Sequence, residues 1–593
     1  MNGEMTNLVR LFFEQAKAKG DKPFLSAKQN DVWVSRSWTA VARDVAALAQ
    51  ALRGLGLAKG DRVMLVSENR PEWCIADLGI MAAGCITVPT YTTNTAADHA
   101  HIIADSGARA IIVSTPKIAA NLLPAILRSG SARHVIGIEP LKVGQSGEIY
   151  YHDWDALLAA QAPDVDVALA QADFARTDVA CLIYTSGTSG SPRGVQQTHG
   201  ALLTNIVGAS DIVLRDFPRS PDTFLSFLPL SHAYEHTAGQ FIPIYLGAQI
   251  YYAESLEKLA ANMEEVQPTI MVIVPRLLEL LRARVLKAVS KQGGTAQGLM
   301  RRAMALGQKR QAGKLRLWDR PVDLLLDATI RKKLQGRFGG RIKALVCGGA
   351  PLNPEVGNFF ENLGLTVLQG YGQTEAAPLI SCNRPRVGIA TETVGAPLLG
   401  VELKIAEDGE ILVRGEMVMP GYWNRPEETA AALEGGWLYT GDIGHLDAKG
   451  RLMITDRKKD IIVNDKGENI APQKIEGMLT LTEEIHQAMV SGDKRPHLVA
   501  LIVPDPEWAL EWARANDEKY DLAALCKLPA FSRAVMAAVD RVNAALSVTE
   551  KVRRIVLIPD AFTIENEMLT PSIKIRRHKI KSVYGEQLDA LYR

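Results

Sequence analysis

The chain has 593 residues, with 67 Lys plus Arg against 66 Asp plus Glu and a formal net charge of +1. That balance excludes a global basic field for nucleic acid, and the length gives room for about four average domains or one large catalytic body with a smaller lobe. Six scattered cysteines (Cys74, Cys85, Cys181, Cys347, Cys382, Cys526) include no C-x-x-C pair, which suits buried thiols in a reducing compartment rather than disulfides or zinc. The amino terminus lacks the basic-then-apolar pattern of a secretory signal, and no apolar run is long enough to span a bilayer, so a cytoplasmic setting is expected.

In chain order, the β-branched runs Arg62 to Val66, Ala110 to Ser114, His134 to Ile138, Val179 to Tyr184, Thr269 to Val274 and Lys343 to Cys347 alternate with longer helical patterns. The alternation predicts α/β layers with largely parallel strands and ligands at strand carboxyl ends. From Arg282 to Lys343 there are seventeen Lys or Arg against three acids, Asp319, Asp323 and Asp327, with periodic Leu, Met and Ala between them. Basic amphipathic helices are predicted there, either a solvated face or a face for anionic lipid. Texture changes at Thr455-Asp-Arg-Lys-Lys-Asp460, which predicts a junction between residues 1–456 and a small α+β lobe over 457–593.

Five segments carry chemistry. Thr185-Ser186-Gly187-Thr188-Ser189-Gly190-Ser-Pro-Arg193-Gly194 follows a predicted strand with hydroxyls, glycines and a fixed cation, a composition that lets backbone N–H groups approach phosphate; no Walker pattern is present. Gly370-Tyr371-Gly372-Gln373-Thr374-Glu375 presents a ring for a base, a hydroxyl for phosphate and a carboxylate for Mg²⁺. Cys347-Gly-Gly349-Ala350-Pro351 is a second tight glycine turn, suited to the opposite wall of a base pocket. Asp442, followed fifteen residues later by Arg457, offers a carboxylate and a guanidinium fork to one ribose. Near the end, Lys574 follows a Thr-Pro-Ser turn.

Taken together and in this order, these segments resemble the adenylate-forming superfamily of acyl-CoA synthetases, luciferases and peptide-synthetase adenylation domains, over nearly the whole chain. The resemblance implies a large multi-subdomain α/β adenylate-forming N-terminal domain and a small, mobile α+β C-terminal domain that swings about a hinge at Lys459. It implies that residues 185–194 hold the ATP phosphates, that Gly349, Ala350, Pro351 and Tyr371 enclose adenine, and that Thr374 and Glu375 serve phosphate and Mg²⁺. It further implies ribose contacts from Asp442 and Arg457, a catalytic Lys574, and admission of the coenzyme A arm by Lys466, Gly467 and Glu468. The segment Ser226-Phe-Leu-Pro-Leu-Ser-His232 is similar to the one whose histidine walls the acyl pocket.

No acid follows Phe227, which speaks against an amino-acid substrate, and Lys459 runs to Lys466 without the insertion common in acyl-AMP ligases. The basic insert and Val274-Pro-Arg-Leu-Leu278 are similar to those of long-chain fatty acyl-CoA synthetases, so ligation of a long-chain fatty acid to coenzyme A is expected. Behind it stand ligases for aryl or medium-chain acids and acyl-AMP ligases delivering to a carrier protein. A distant alternative is a zinc hydrolase, because His232-Ala-Tyr-Glu235-His236 fits H-x-x-E-H. Ser189 and Arg193 depart from the family's usual Thr and Lys, which leaves room for an inactive homologue. Expected partners are fatty acid, ATP, coenzyme A and an anionic membrane surface, without nucleic acid; a homodimer stays open.

Overall fold

The computed structural model describes residues 5–141, 149–185, 192–458, 460–563, 566–570 and 575–593. Contacts divide it into two compact units, one of Met1–Lys404, Leu412–Thr440 and Leu446–Leu452, the other of Ile405–Ile411, Gly441–His445 and Met453–Arg593. Asp442 therefore belongs to the same unit as Arg457, although the chain brings it from upstream of the change in texture.

The first unit contains two large sheets. One runs, in spatial order, Tyr150–Asp153, His134–Gly137, Ala110–Val113, Arg62–Val66, Ile86–Pro89, Val179–Thr185, Arg193–Thr198. Its pairs are parallel except the last, where Val179–Thr185 and Arg193–Thr198 are antiparallel. The other has nine strands with a parallel centre (Gln249–Tyr252, Thr223–Ser226, Ile270–Ile273, Ala344–Cys347, Val367–Gly372) and antiparallel pairs toward its ends. All six predicted strands are present within a residue or so of their expected limits.

The parallel strands are buried along their length, as Ala110–Val113, Ile86–Pro89 and Ile270–Ile273 show, because crossover helices cover both faces. Helix Pro71–Ala82 carries apolar residues all round and is buried at every position but Glu72, which is how its second acid, Asp77, comes to lie at zero exposure. Phe12, Phe24 and Trp38 fix the amino-terminal helices to the second sheet. Phe24 and Trp38 stack at 3.6 Å, a contact worth ~0.5–1.5 kcal/mol beyond the area it buries.

The second unit has its own core under a sheet in which Ile485–Ser491 and Leu498–Pro504 are antiparallel and Leu498–Pro504 and Val552–Leu557 parallel. Among the described residues no helix is long and apolar enough to cross a membrane.

Candidate active site

Register places the ends of the hydroxyl-rich loop opposite each other: Thr185 pairs with Arg193 and Tyr184 with Gly194. The loop thus closes an antiparallel hairpin. Its first turn-side residue, Pro192, gives its carbonyl to His101 Nε2 at 2.8 Å, and the Tyr184 hydroxyl donates to Asp105 at 2.7 Å. Gly194 has a packing reason, since a Cβ there would stand 3.0 Å from the Tyr184 ring and 3.3 Å from Trp423 Cβ. Ser186, Gly187, Thr188, Ser189 and Gly190 lie outside the described residues, as do Lys459 and Lys574.

Gly349, Ala350 and Pro351 follow strand Ala344–Cys347, and Gln373, Thr374 and Glu375 follow the neighbouring strand Val367–Gly372, so both groups stand at adjacent parallel carboxyl ends. One expectation needs correction: Gly370, Tyr371 and Gly372 are not in the turn but in the strand, paired with Leu379–Cys382. Glycine is required there by close approach, because a Cβ on Gly372 would lie 2.0 Å from the Pro378 carbonyl oxygen. Tyr371 is 8% exposed.

Arg193, Glu375 and the hairpin are brought together by Tyr422. The Tyr422 hydroxyl donates to Glu375 Oε1 at 2.8 Å, while the Arg193 guanidinium lies over the Tyr422 ring at 4.4 Å and pairs with Glu428 at 2.9 Å. Burial and the neighbouring Glu375 carboxylate push the Tyr422 phenol up, so it stays a donor across the ordinary pH range. Gln197 adds a tie from the second hairpin strand, its amide donating to the Thr374 carbonyl at 2.9 Å. A planar guanidinium stacks on a ring as an ammonium does not, which gives Arg193 a physical role that lysine would fill less well.

His232 caps the short helix Ala233–Glu235, with Nδ1 accepting from the Tyr234 N–H at 3.2 Å. Tyr234 is buried beneath the Cys347–Pro351 turn and donates its hydroxyl to the Val346 carbonyl at 2.8 Å. The same ring lines a cavity together with Ala209, Ile212, Phe224, Ile242, Val272 and Leu379, among others, in which carbon predominates. Tyr234 thus touches both an apolar cavity and, at Gly348, the glycine turn at the strand ends.

The zinc arrangement does not form. His236 is fully buried in a π-helical turn with Nε2 2.9 Å from Asp77, which also accepts from Gln240, while His232 faces its own helix start. Among the described residues no group of three or more His, Cys, Asp or Glu could hold a metal ion.

Glu235, buried beside these groups, accepts from Ser226 at 2.6 Å, and burial pushes its carboxyl up to about 8. Above its ordinary 4.5 the unfolded chain gives up a proton that the folded chain keeps. Its contribution to stability is therefore full below that value, declines as pH rises, and is gone above about 8. Glu235→Gln is expected to remove this decline, so that its melting temperature gains on the parent's as pH is raised. Parallel melting profiles for the two proteins would refute the assignment.

In the second unit Asp442 and Arg457 meet directly: Arg457 Nε donates to Asp442 Oδ1 at 3.1 Å. Gly441 precedes them at φ +73°, its N–H held by Glu410 at 2.8 Å. Lys466, Gly467 and Glu468 form a turn around Asn464, whose Oδ1 accepts the N–H groups of Lys466 and Glu468 at 3.0 and 2.9 Å. On either side of the Lys574 segment, Leu569 bridges Ile575, and Arg577 binds the buried Glu476 through both guanidinium ends, at 2.7 and 2.5 Å.

Residues 12–423 match the family described as AMP-binding enzyme, and residues 459–593 match the AMP-binding enzyme C-terminal domain. The chain belongs to the AMP-binding enzyme family. A long-chain-fatty-acid–CoA ligase of Mycobacterium tuberculosis, FadD15, is 33% identical over 600 residues, covering 100% of this chain and 98% of that protein. The peroxisomal long chain acyl-CoA synthetase 7 of Arabidopsis thaliana is 32% identical over 572 residues, 92% of this chain and 80% of its own length. Among solved structures, the adenylation domain of a Mycobacterium chelonae carboxylate reductase superposes with TM-score 0.76 at 22% identity, covering 100% of this chain and 92% of that one. A benzoate CoA ligase from Burkholderia xenovorans gives 0.71 at 21%, covering 97% and 100%. These likenesses establish the adenylate-forming fold.

Within this AMP-binding fold, sequence reasoning passed over Tyr422, Glu428, Asp105 and Asn464. The signal for Tyr422 was available in Pro420-Gly421-Tyr422-Trp423, a turn with two aromatic residues. For Asp105 there was none, since it is one acid near the end of an ordinary helix.

Proposed function

We propose that the chain joins a long-chain fatty acid to coenzyme A in two steps through an acyl-adenylate, consuming ATP and releasing AMP and pyrophosphate. The observation that carries this reading is the apolar cavity lined by Tyr234, whose ring also lies against Gly348 in the glycine turn of the strand carboxyl ends. It is supported by full-length similarity to long-chain ligases, which favours them over the aryl-acid enzymes that share the fold.

In this reading the acyl chain occupies the cavity and its carboxylate lies at the Tyr234 and His232 end. Residues 185–194 hold the phosphates, Gly349 to Pro351 and Tyr371 border the adenine, and Asp442 with Arg457 takes the ribose. Thr374 and Glu375 present hydroxyl and carboxylate oxygens, the hard donors that Mg²⁺ prefers, and among the described residues Glu375 Oε1 alone is engaged by a hydrogen bond. The donor set thus fits Mg²⁺, which when bound offsets charge on phosphate oxygens. Lys574 stabilises the charge that develops as the carboxylate attacks the α-phosphorus. Rotation of the small lobe about Lys459 then removes it and brings up Lys466 to Glu468 for the thiol.

Coenzyme A-dependent AMP release, measured across acids from acetate to oleate with benzoate and amino acids as controls, tests the reading. Strongest turnover with long-chain acids is expected, and preference for benzoate or an amino acid overturns it. Ala238 lines the cavity, so Ala238→Trp should shorten the preferred chain by several carbons and raise KM for oleate by at least tenfold. An unchanged chain-length profile would place the acyl group elsewhere.

The same reading gives the basic insert an anionic lipid surface as partner, at ~1 kcal/mol for each basic side chain near the headgroups.

A further inference from the structure

The basic insert leaves strand Ile270–Ile273 and returns at strand Ala344–Cys347, so it is rooted on two strands that line the apolar cavity through Ile270, Val272 and Val346. Its last part is a nearly continuous helical run, Leu317–Asp319, Arg320–Leu326, Asp327–Arg331 and Lys332–Arg337. One face of this run is core, with Asp323, Leu326, Arg331 and Leu334 buried.

The other face is apolar and exposed. Leu317, Trp318, Leu324 and Leu325 are 75%, 69%, 68% and 59% exposed, and Pro321 between them is also exposed. Leu317, Pro321 and Leu324 follow i, i+4, i+7, and Trp318 and Leu325 stand seven apart, so they form one stripe. Large apolar side chains clustered so openly mark a surface that meets something apolar.

Charge identifies what it meets. All three acids between Arg282 and Lys343 are held by cations of the insert: Asp319 by Lys309 at 3.1 Å, Asp323 by Arg331 at 2.6 Å, and Asp327 by Arg310 and Arg331 at 2.9 and 2.8 Å. Lys314, Arg320, Lys332 and Lys333 remain exposed, and among the described residues they form no ion pair. A second copy laid on the stripe would add its own cations to these, whereas an anionic bilayer offers acyl chains to the leucines and headgroups to the flanking bases.

We propose that Leu317, Trp318, Leu324 and Leu325 insert into the headgroup and acyl boundary of an anionic phospholipid bilayer, anchoring the insert there as an interfacial helix. The proposal rests on the membrane reading of the insert and adds that attachment is hydrophobic as well as electrostatic. Indole favours the interface, and the Arg316 guanidinium, 5.3 Å from the Trp318 ring centre, would serve the headgroups beside it.

Co-sedimentation of the full chain with vesicles of equal phosphatidylglycerol and phosphatidylcholine tests it. Leu324→Ser with Leu325→Ser should weaken binding at least tenfold while ATP binding and circular dichroism stay unchanged, since both side chains are already exposed. Trp318→Phe should keep most of the binding but lose the tryptophan quenching that brominated lipid produces in the parent. If the parent fails to sediment, the membrane reading itself falls. If the parent sediments and the double serine variant binds equally well, attachment is by charge alone and the anchor is overturned. If the serine variant instead turns a dimer into a monomer in sedimentation velocity with vesicle binding intact, a second copy covers the stripe and the proposal is likewise overturned.

Discussion

Lys574→Ala is expected to slow acyl-adenylate formation by about 10²–10³-fold, the usual effect of removing one donor pre-aimed at developing transition-state charge. Thioester formation from supplied acyl-adenylate and coenzyme A should stay within a few-fold of the parent, because that step develops no charge on a leaving pyrophosphate. The contrast follows from the proposed rotation of the small lobe. The flanks of the segment are well anchored in the second unit, by the Leu569–Ile575 bridge and the Arg577–Glu476 pair, so truncating one side chain should leave the lobe folded. Separate assays of the two half-reactions decide the matter, and equal loss in both would refute the alternation of roles.

The second large effect is expected at Glu375. Glu375→Gln keeps the shape and removes the charge; adenylation should fall by about 10²–10³-fold, with a raised Mg²⁺ requirement. Tyr422→Phe removes the hydroxyl that donates to Glu375 Oε1 and leaves the ring beneath Arg193 in place. Loss of one hydrogen bond to a charged group is worth ~1.5–3 kcal/mol, so an effect of about 10–100-fold is expected. Calorimetry of ATP binding with and without Mg²⁺ separates the roles. Both substitutions should weaken binding mainly when Mg²⁺ is present, and an equal loss without it would mean that Glu375 contacts the nucleotide by another route.

Much of the fold was legible because strands buried on both faces must be apolar along their length, and six such runs stand out against the helical patterns between them. Residues of the site within one motif were legible for a related reason. A glycine, a hydroxyl and a carboxylate placed a few residues apart after a strand limit what the turn can bind. Gly370 and Gly372 misled by the same signal, since glycine serves close approach in a strand as well as freedom in a turn, and only the Pro378 carbonyl opposite distinguishes the two. His232 and His236 fit a ligand pattern in sequence, but Asp77, far away along the chain, takes the second of them.

By itself the sequence determined the family, the order of the sheets' strands along the chain and the chemical types at the proposed phosphate, base and ribose positions, because local spacing and burial pattern are carried by neighbouring residues. Tertiary structure alone decided that Tyr422 joins Arg193 to Glu375, that Tyr234 lines the apolar cavity, and that the acids of the insert are spent inside it while its leucines face outward. Each of these depends on contacts between residues tens to hundreds apart or on which face of a helix is covered, and neither is fixed by local sequence.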